Sequence, residues 1–199
     1  MGLGSKRTRR TLGATMTLAV GLILAACSGS SAPATSGAGP SAGGPVAGAF
    51  QSSAALTATI PTRVLTVILQ TGGANAVVSF TDPQGPSVLL ATMASNLKAS
   101  PASVSVAAGA DQGGKIQIVA GQFQGVDSAA LQAEVVRLAK GIDPNVVLTD
   151  PTIGGKQVTS AAFPGSQVGP TIAYIKGNTV YFVKSSDPAL TEDAVKQLP

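Results

Sequence analysis

The segment "TIAYIKGNTVYFVK", Thr171 to Lys184, decides how the folded part of this chain is interpreted. Two runs rich in β-branched and aromatic residues flank Gly177 and Asn178, a pair suited to the two-residue turn of a β-hairpin. Asp187 and Pro188 follow and are typical of a helix start, because aspartate caps the first N–H groups and proline has none to leave unpaired. A hairpin that leads into a helix indicates a fold of mixed class.

The same order of features recurs towards the N-terminus. Gly-Gly pairs stand at 72–73, 113–114 and 154–155, 41 residues apart, and two strand-like runs flank each pair. A helical pattern over 87–99 follows the first pair, and another that begins at Asp127 or Ser128 follows the second. The spacing predicts an internal ββα repeat of 41 residues. The apolar stripes of the three predicted helices are Leu90, Met93 and Leu97; Leu131, Val135 and Leu138; and Leu190, Ala194 and Leu198.

These elements predict an α+β fold. We expect a two-layer sandwich in which a largely antiparallel sheet of about eight strands carries about three helices on one face. The other face would then be solvated, covered by loops or used for binding. Residues 50–199 contain few aromatic side chains and no Trp, so the core must be built mainly from Val, Leu, Ile and Ala. Their number suits a single domain with its own core.

The N-terminal segments differ in composition from this domain. Residues 1–10 contain four basic side chains and no acid, and residues 11–26 are uncharged. That layout is typical of a signal peptide, and the uncharged run is shorter than the ~20 residues of a membrane-spanning helix. Residues 28–48 consist of Ser, Gly, Ala, Pro, Thr and one Val, which predicts a flexible tether. We therefore expect a removed signal peptide (1–26), a tether that begins at Cys27 (27–49) and one globular domain (50–199).

The stretch "LAAC", Leu24 to Cys27, resembles the lipobox of bacterial lipoprotein precursors. The resemblance implies cleavage between Ala26 and Cys27 and a diacylglyceryl group on the Cys27 sulfur. Two acyl chains anchor a protein stably, so it also implies a location on the extracytoplasmic face of the cell membrane. "TRRTLG", Thr8 to Gly13, resembles a twin-arginine export signal, and the general secretory and twin-arginine routes both stay open. The globular part resembles uncharacterised exported domains of high-GC bacteria in general style only, and no functional residue carries over from them.

Charge and chemistry exclude several classes of function. The net charge of +4 resides in residues 1–26, because basic and acidic residues are equal in number after them and neither sign is clustered. Nucleic-acid binding thus loses its main support. The chain has no His, which excludes Ser-His-Asp and Cys-His catalysis and His-based metal sites. We expect no catalytic residues, no cofactor and no metal, and we expect that the protein is not an enzyme.

Two functions remain, and the sequence does not favour one over the other. In the first, a lipoprotein held to the membrane by lipid on Cys27 binds a small or apolar ligand, and a cavity of ~300 Å³ or more would favour it. In the alternative, an envelope module docks another protein without a ligand cavity or catalysis, and an exposed apolar patch would favour it.

Overall fold

The computed structural model describes residues 50–74, 86–166 and 169–199. The described helices are α1 (Ala54–Thr57), α2 (Pro86–Asn96), α3 (Ser128–Ile142) and α4 (Pro188–Gln197), and a 3-10 turn spans Pro101–Ser103. The described strands are β1 (Gln51–Ser52), β2 (Arg63–Val64), β3 (Val67–Ile68), β4 (Gln70–Gly72), β5 (Val104–Ala110), β6 (Ile116–Phe123), β7 (Val147–Thr149), β8 (Thr152–Ile153), β9 (Lys156–Gln157), β10 (Thr159–Ala162), β11 (Thr171–Lys176) and β12 (Thr179–Ser185).

Eight of these strands form one sheet. Its order is β1-β5-β6-β12-β11-β10-β7, and β4 pairs with β5 beside β1. Among the described strands, β1 and β5 are the one parallel pair of this sheet, and all its other pairs are antiparallel. The predicted α+β class and the largely antiparallel sheet of about eight strands are confirmed. Two small hairpins, β2–β3 and β8–β9, lie outside this sheet.

The hairpin and the two helix starts that were predicted from local sequence are present at the predicted residues. β11 and β12 form the hairpin predicted at 171–184, and Gly177 turns the chain with a φ of +59°. α3 begins after Asp127, whose side chain accepts a hydrogen bond of 2.7 Å from the Ala130 N–H. α4 begins after Asp187, which accepts 2.9 Å from the Ala189 N–H. Both caps satisfy N–H groups that have no partner within the helix.

The predicted placement of the helices on one face is wrong. α2 and α3 cover one side of the sheet, here called the α3 face, which carries Val106, Val119 and Phe182. α4 covers the opposite side, the α4 face, together with α1 and the β2–β3 hairpin. The sheet is therefore the middle of three layers. The physical reason is that β6 and β12 carry apolar side chains on both faces, so a solvated face would expose half of them. The buried strand residues of the α4 face are Ala107, Ile116, Ile118, Ala120, Ile172, Tyr181 and Val183.

The predicted 41-residue repeat is also wrong. Gly113–Gly114 lies in the β5–β6 turn and Gly154–Gly155 at the tip of β8–β9, as expected for hairpins. Gly72, however, lies within β4 and pairs with Ala108 of β5. The predicted partner run, residues 75–80, lies outside the described residues. Since α3 and α4 also pack on opposite faces, the units that contain them are not structural equivalents.

The predicted signal peptide (1–26), the predicted lipidation site Cys27 and the predicted tether lie outside the described residues. Within the described ranges, no helix is both long and apolar enough to cross a membrane.

Candidate ligand-binding cavity

A cavity of about 320 Å³ lies between α3 and the α3 face of the sheet. Its upper wall is largely apolar, because it is formed by one side of α3 and by a leucine of α2. The cavity adjoins the buried cluster that these helices form with the sheet. The wall residues are Leu89, Val135, Leu138, Ala139, Ile142 and Asp143.

The floor of the cavity consists of two rows of side chains on β10, β11 and β12. Pairing register sets each row, since residues directly opposite each other in an antiparallel pair point to the same face. In the first row Ala161 pairs with Thr171, and Thr171 pairs with Lys184. In the second row Thr159, Ala173 and Phe182 lie in register in the same way.

In the connection from β10 to β11, Phe163, Ser166 and Gly169 line the cavity and form its rim. Gly169 lies so close to β12 that a Cβ there would be 2.5 Å from the Ser185 carbonyl oxygen. Any other residue would push this connection away from the strand. The glycine therefore keeps the rim close to the floor.

Small side chains explain why the space exists. Ala139 on α3 and Ala161 and Ala173 on the floor all line the cavity. Leu131 of α3 and Phe182 of the sheet are larger and belong to the buried core between the two layers. Alanines placed between such residues leave volume that neither layer fills.

A chain of two hydrogen bonds meets the cavity at Thr159. The Thr159 hydroxyl accepts a bond of 2.6 Å from Gln132 Nε2 and donates one of 2.8 Å to Asp150 Oδ1. Thr159 is buried, and these two bonds give its hydroxyl the partners that a buried polar group requires. The bond from Gln132 also ties α3 to β10.

A second polar group joins the two helices of the upper wall. Glu134 is only 6% exposed, and its carboxylate accepts hydrogen bonds of 2.8 Å from Asn96 and 2.7 Å from two nitrogens of Arg137. The bond to Glu134 raises the pKa of the Arg137 guanidinium. Asn96 lies on α2 and Glu134 on α3, so this clasp fixes the distance between the helices.

The site offers shape and apolar surface more than reactive groups. In the described part of the chain, every buried side-chain nitrogen or oxygen has a hydrogen-bond partner. The same residues contain no group of three or more His, Cys, Asp or Glu side chains that could hold a metal. Apolar contact must therefore supply most of the affinity for any ligand in this cavity.

Comparison with known proteins adds no further constraint, because the chain matches no protein-family model, no curated protein and no solved structure.

The cavity was not predicted from the sequence. The site residues that were predicted, Ala26 and Cys27, lie outside the described residues. Of the cavity residues, Lys184 carries the one signal visible beforehand. It follows Val180 and Phe182 at a spacing of two, so it belongs to the same buried side of the strand. A charge at such a position is rare unless it faces a partner or a cavity.

Proposed function

We propose that this protein is a lipoprotein, held to the extracytoplasmic face of the cell membrane by lipid on Cys27, whose domain binds a small, largely apolar ligand. The observation that supports the ligand is the cavity between α3 and the sheet. Its volume of about 320 Å³ falls within the ~300–1,000 Å³ of ligand pockets, and its walls are mostly apolar with a few polar side chains. The proposal includes no catalytic step.

Native mass spectrometry of the mature protein, recovered from its own cell envelope, tests the ligand. We expect a reproducible added mass of small-molecule size beyond that of the lipid anchor. Ala161→Leu fills part of the cavity and should remove that mass. Ala162→Leu is the matched control, because Ala162 is the next residue of β10, is exposed and points to the opposite face. A wild-type domain without added mass contradicts the proposal, as does retention of that mass by Ala161→Leu.

A separate measurement tests the anchor. We expect the mature N-terminus to be a lipid-modified Cys27, and we expect Cys27→Ala to release the protein from the membrane fraction or to block its maturation. An unmodified mature N-terminus at another residue would contradict the anchor and leave the ligand proposal standing.

One observation favours the alternative, a protein-docking module. Leu65 and Ile68, in the β2–β3 hairpin, are 50% and 66% exposed. Two side chains are few beside the ~20–30 residues that each partner contributes to a standard interface. The cavity therefore supports ligand binding more strongly than this patch supports protein docking.

A further inference from the structure

We infer that the ligand of the proposed cavity is an uncharged amphiphile, an apolar body that carries one hydrogen-bonding oxygen, and that this oxygen lies on the Thr171 hydroxyl. This inference rests on the proposed function and specifies the class of its ligand. It follows from which charged and polar side chains of the lining already have partners and which do not.

The ionisable side chains of the lining do not favour a charged ligand. Among the described residues that line the cavity there are two, Asp143 and Lys184. Their charges are opposite in sign, so each attracts the ion that the other repels. Lys184 already has an interaction partner, and Asp143 Oδ1 accepts a hydrogen bond of 2.8 Å from the Asn145 N–H. A charged ligand would lose its hydration and would have to compete for these groups, and burying a charge without a partner is costly.

The hydroxyl groups of the lining differ in whether they have a partner. Three of the described lining residues carry a hydroxyl, and they are Thr159, Ser166 and Thr171. The Thr159 hydroxyl bonds to Gln132 and Asp150, and Ser166 also has a partner. The Thr171 side chain forms no hydrogen bond with any described residue. Its hydroxyl can therefore bond to a ligand oxygen without breaking a bond within the protein.

Thr171 lies beside an apolar part of the floor. It is only partly exposed, and Ala173 follows it two residues along β11 on the same face. Ala173 pairs with Phe182 of β12, and Val135 and Leu138 of α3 line the same cavity. An apolar body placed over Ala173 and Phe182 buries its surface against floor and wall while its oxygen reaches Thr171. An alcohol, a ketone or an ester suits this arrangement, because a threonine hydroxyl both donates and accepts hydrogen bonds.

Photo-crosslinking tests the inference on the mature protein, recovered from its own cell envelope and held in phosphatidylcholine nanodiscs. The probes share a ten-carbon chain with a diazirine near its tail end, and their heads are a primary alcohol, a carboxylate, a quaternary ammonium and a plain methyl group. Labelling of the protein is divided by labelling of the nanodisc lipid, which corrects for uptake into the membrane. We expect the alcohol to label peptides of α3, β11 and β12 most strongly, about tenfold or more above the carboxylate and the ammonium.

Substitutions at Thr171 test where the ligand oxygen lies. Thr171→Val keeps the branched shape without the hydroxyl, so it should reduce labelling by the alcohol about fivefold and leave labelling by the methyl probe unchanged. Thr171→Ser keeps the hydroxyl and should keep the labelling. Thr149→Val is the matched control, because Thr149 is exposed on β7 and, paired with Ser160, points to the opposite face.

The outcomes separate this inference from the proposed function. Strongest cavity labelling by the carboxylate or the ammonium overturns the uncharged class and leaves the proposed function intact. Labelling by the alcohol that Thr171→Val does not reduce overturns the assignment of the oxygen to Thr171, again with the proposed function intact. Cavity labelling by none of the probes overturns both. If Thr171→Val also lowers labelling by the methyl probe, the fold is disturbed and Thr171→Ser decides, since loss of labelling by the alcohol in that variant would contradict a role for the hydroxyl.

Discussion

Leu65 has a backbone conformation that leucine rarely adopts. Its φ is +50°, in the left-handed region where a Cβ crowds the following carbonyl. Its N–H donates a hydrogen bond of 2.8 Å to Asp193 Oδ2 on α4, which holds the turn of the β2–β3 hairpin in this geometry. The side chain itself is half exposed, so it contributes little packing in return.

Replacing this leucine should stabilise the protein. Asn tolerates the left-handed region, so Leu65→Asn is expected to raise the free energy of unfolding by about 0.5 kcal/mol, measured by chemical denaturation. Ile68→Asn is the control, because Ile68 lies in β3 and is also exposed. There we expect a small loss, since Asn is a poor strand residue. A loss of equal size in both variants would contradict strain at Leu65.

Burial of Tyr181 makes the free energy of unfolding depend on pH in the alkaline range. The side chain is buried on the α4 face and donates a hydrogen bond of 3.2 Å to Thr59. Burial raises the pKa of this phenol above its ordinary value of 10.0. In the folded state the phenol therefore keeps its proton at a pH where the unfolded chain has lost it. The stability from this group is complete below pH 10 and falls as pH rises through the folded-state pKa.

Absorbance of the phenolate measures this directly. In a Tyr174→Phe background Tyr181 is the one remaining tyrosine of the chain. We expect its titration midpoint to lie higher in the folded protein than in the denaturant-unfolded protein. Equal midpoints in the two states would contradict the assignment to burial.

At the scale of elements, α3 depends on the cap that Asp127 provides. The Asp127 carboxylate accepts the Ala130 N–H, and α3 forms most of the upper wall of the cavity. Asp127→Ala should lower the free energy of unfolding by about 1 kcal/mol, and Asp127→Asn, which retains an acceptor, by a few tenths at most. Thermal unfolding of the two variants measures the difference. Equal destabilisation would indicate that the charge matters and the hydrogen bond does not.

The tip of β8–β9 packs directly on α4. A Cβ at Gly154 would lie 2.8 Å from the backbone nitrogen of Lys196 and 3.0 Å from the carbonyl oxygen of Glu192. A Cβ at Gly155 would meet open space. Both glycines have positive φ, at +57° and +80°. The two positions therefore share conformational strain and differ in packing.

The pair makes a matched test. Gly155→Ala should cost about 1 kcal/mol of unfolding free energy, from strain in the left-handed region alone. Gly154→Ala should cost about 3 kcal/mol, because the hairpin must also move away from α4. Denaturant unfolding of both variants gives the comparison. Similar losses would mean that the hairpin can shift without disturbing the helix.

At the scale of the whole molecule, the sequence predicts elements better than it predicts their assembly. Caps at Asp127 and Asp187 and the turn at Gly177 depend on neighbours in the chain, and all three are where they were predicted. The face that α4 covers depends on contacts between distant segments. An apolar stripe says that a helix is buried but not on which side of a sheet. The available signal was that β6 and β12 are apolar on both faces.

The cavity was harder to foresee for the same reason. Ala139, Ala161 and Ala173 are unremarkable in an alanine-rich chain, and only the fold brings them together. A cavity is unfilled space between packed layers, and no local sequence pattern indicates where such space will be left. Lys184 was the exception, since an alternating strand placed its charge on a buried side.

The attachment of β1 has a mechanical consequence. β1 is two residues long and pairs with β5 in parallel through Gln51 and Ser52, and Phe50 before it is buried in the core. A pull on the N-terminus reaches the domain through this strand first. We expect β1 to slide off β5 at low force while the longer ladders that join β5, β6, β12 and β11 stay intact. The first strand would then act as a mechanical release, lengthening the attached chain before the domain itself bears load.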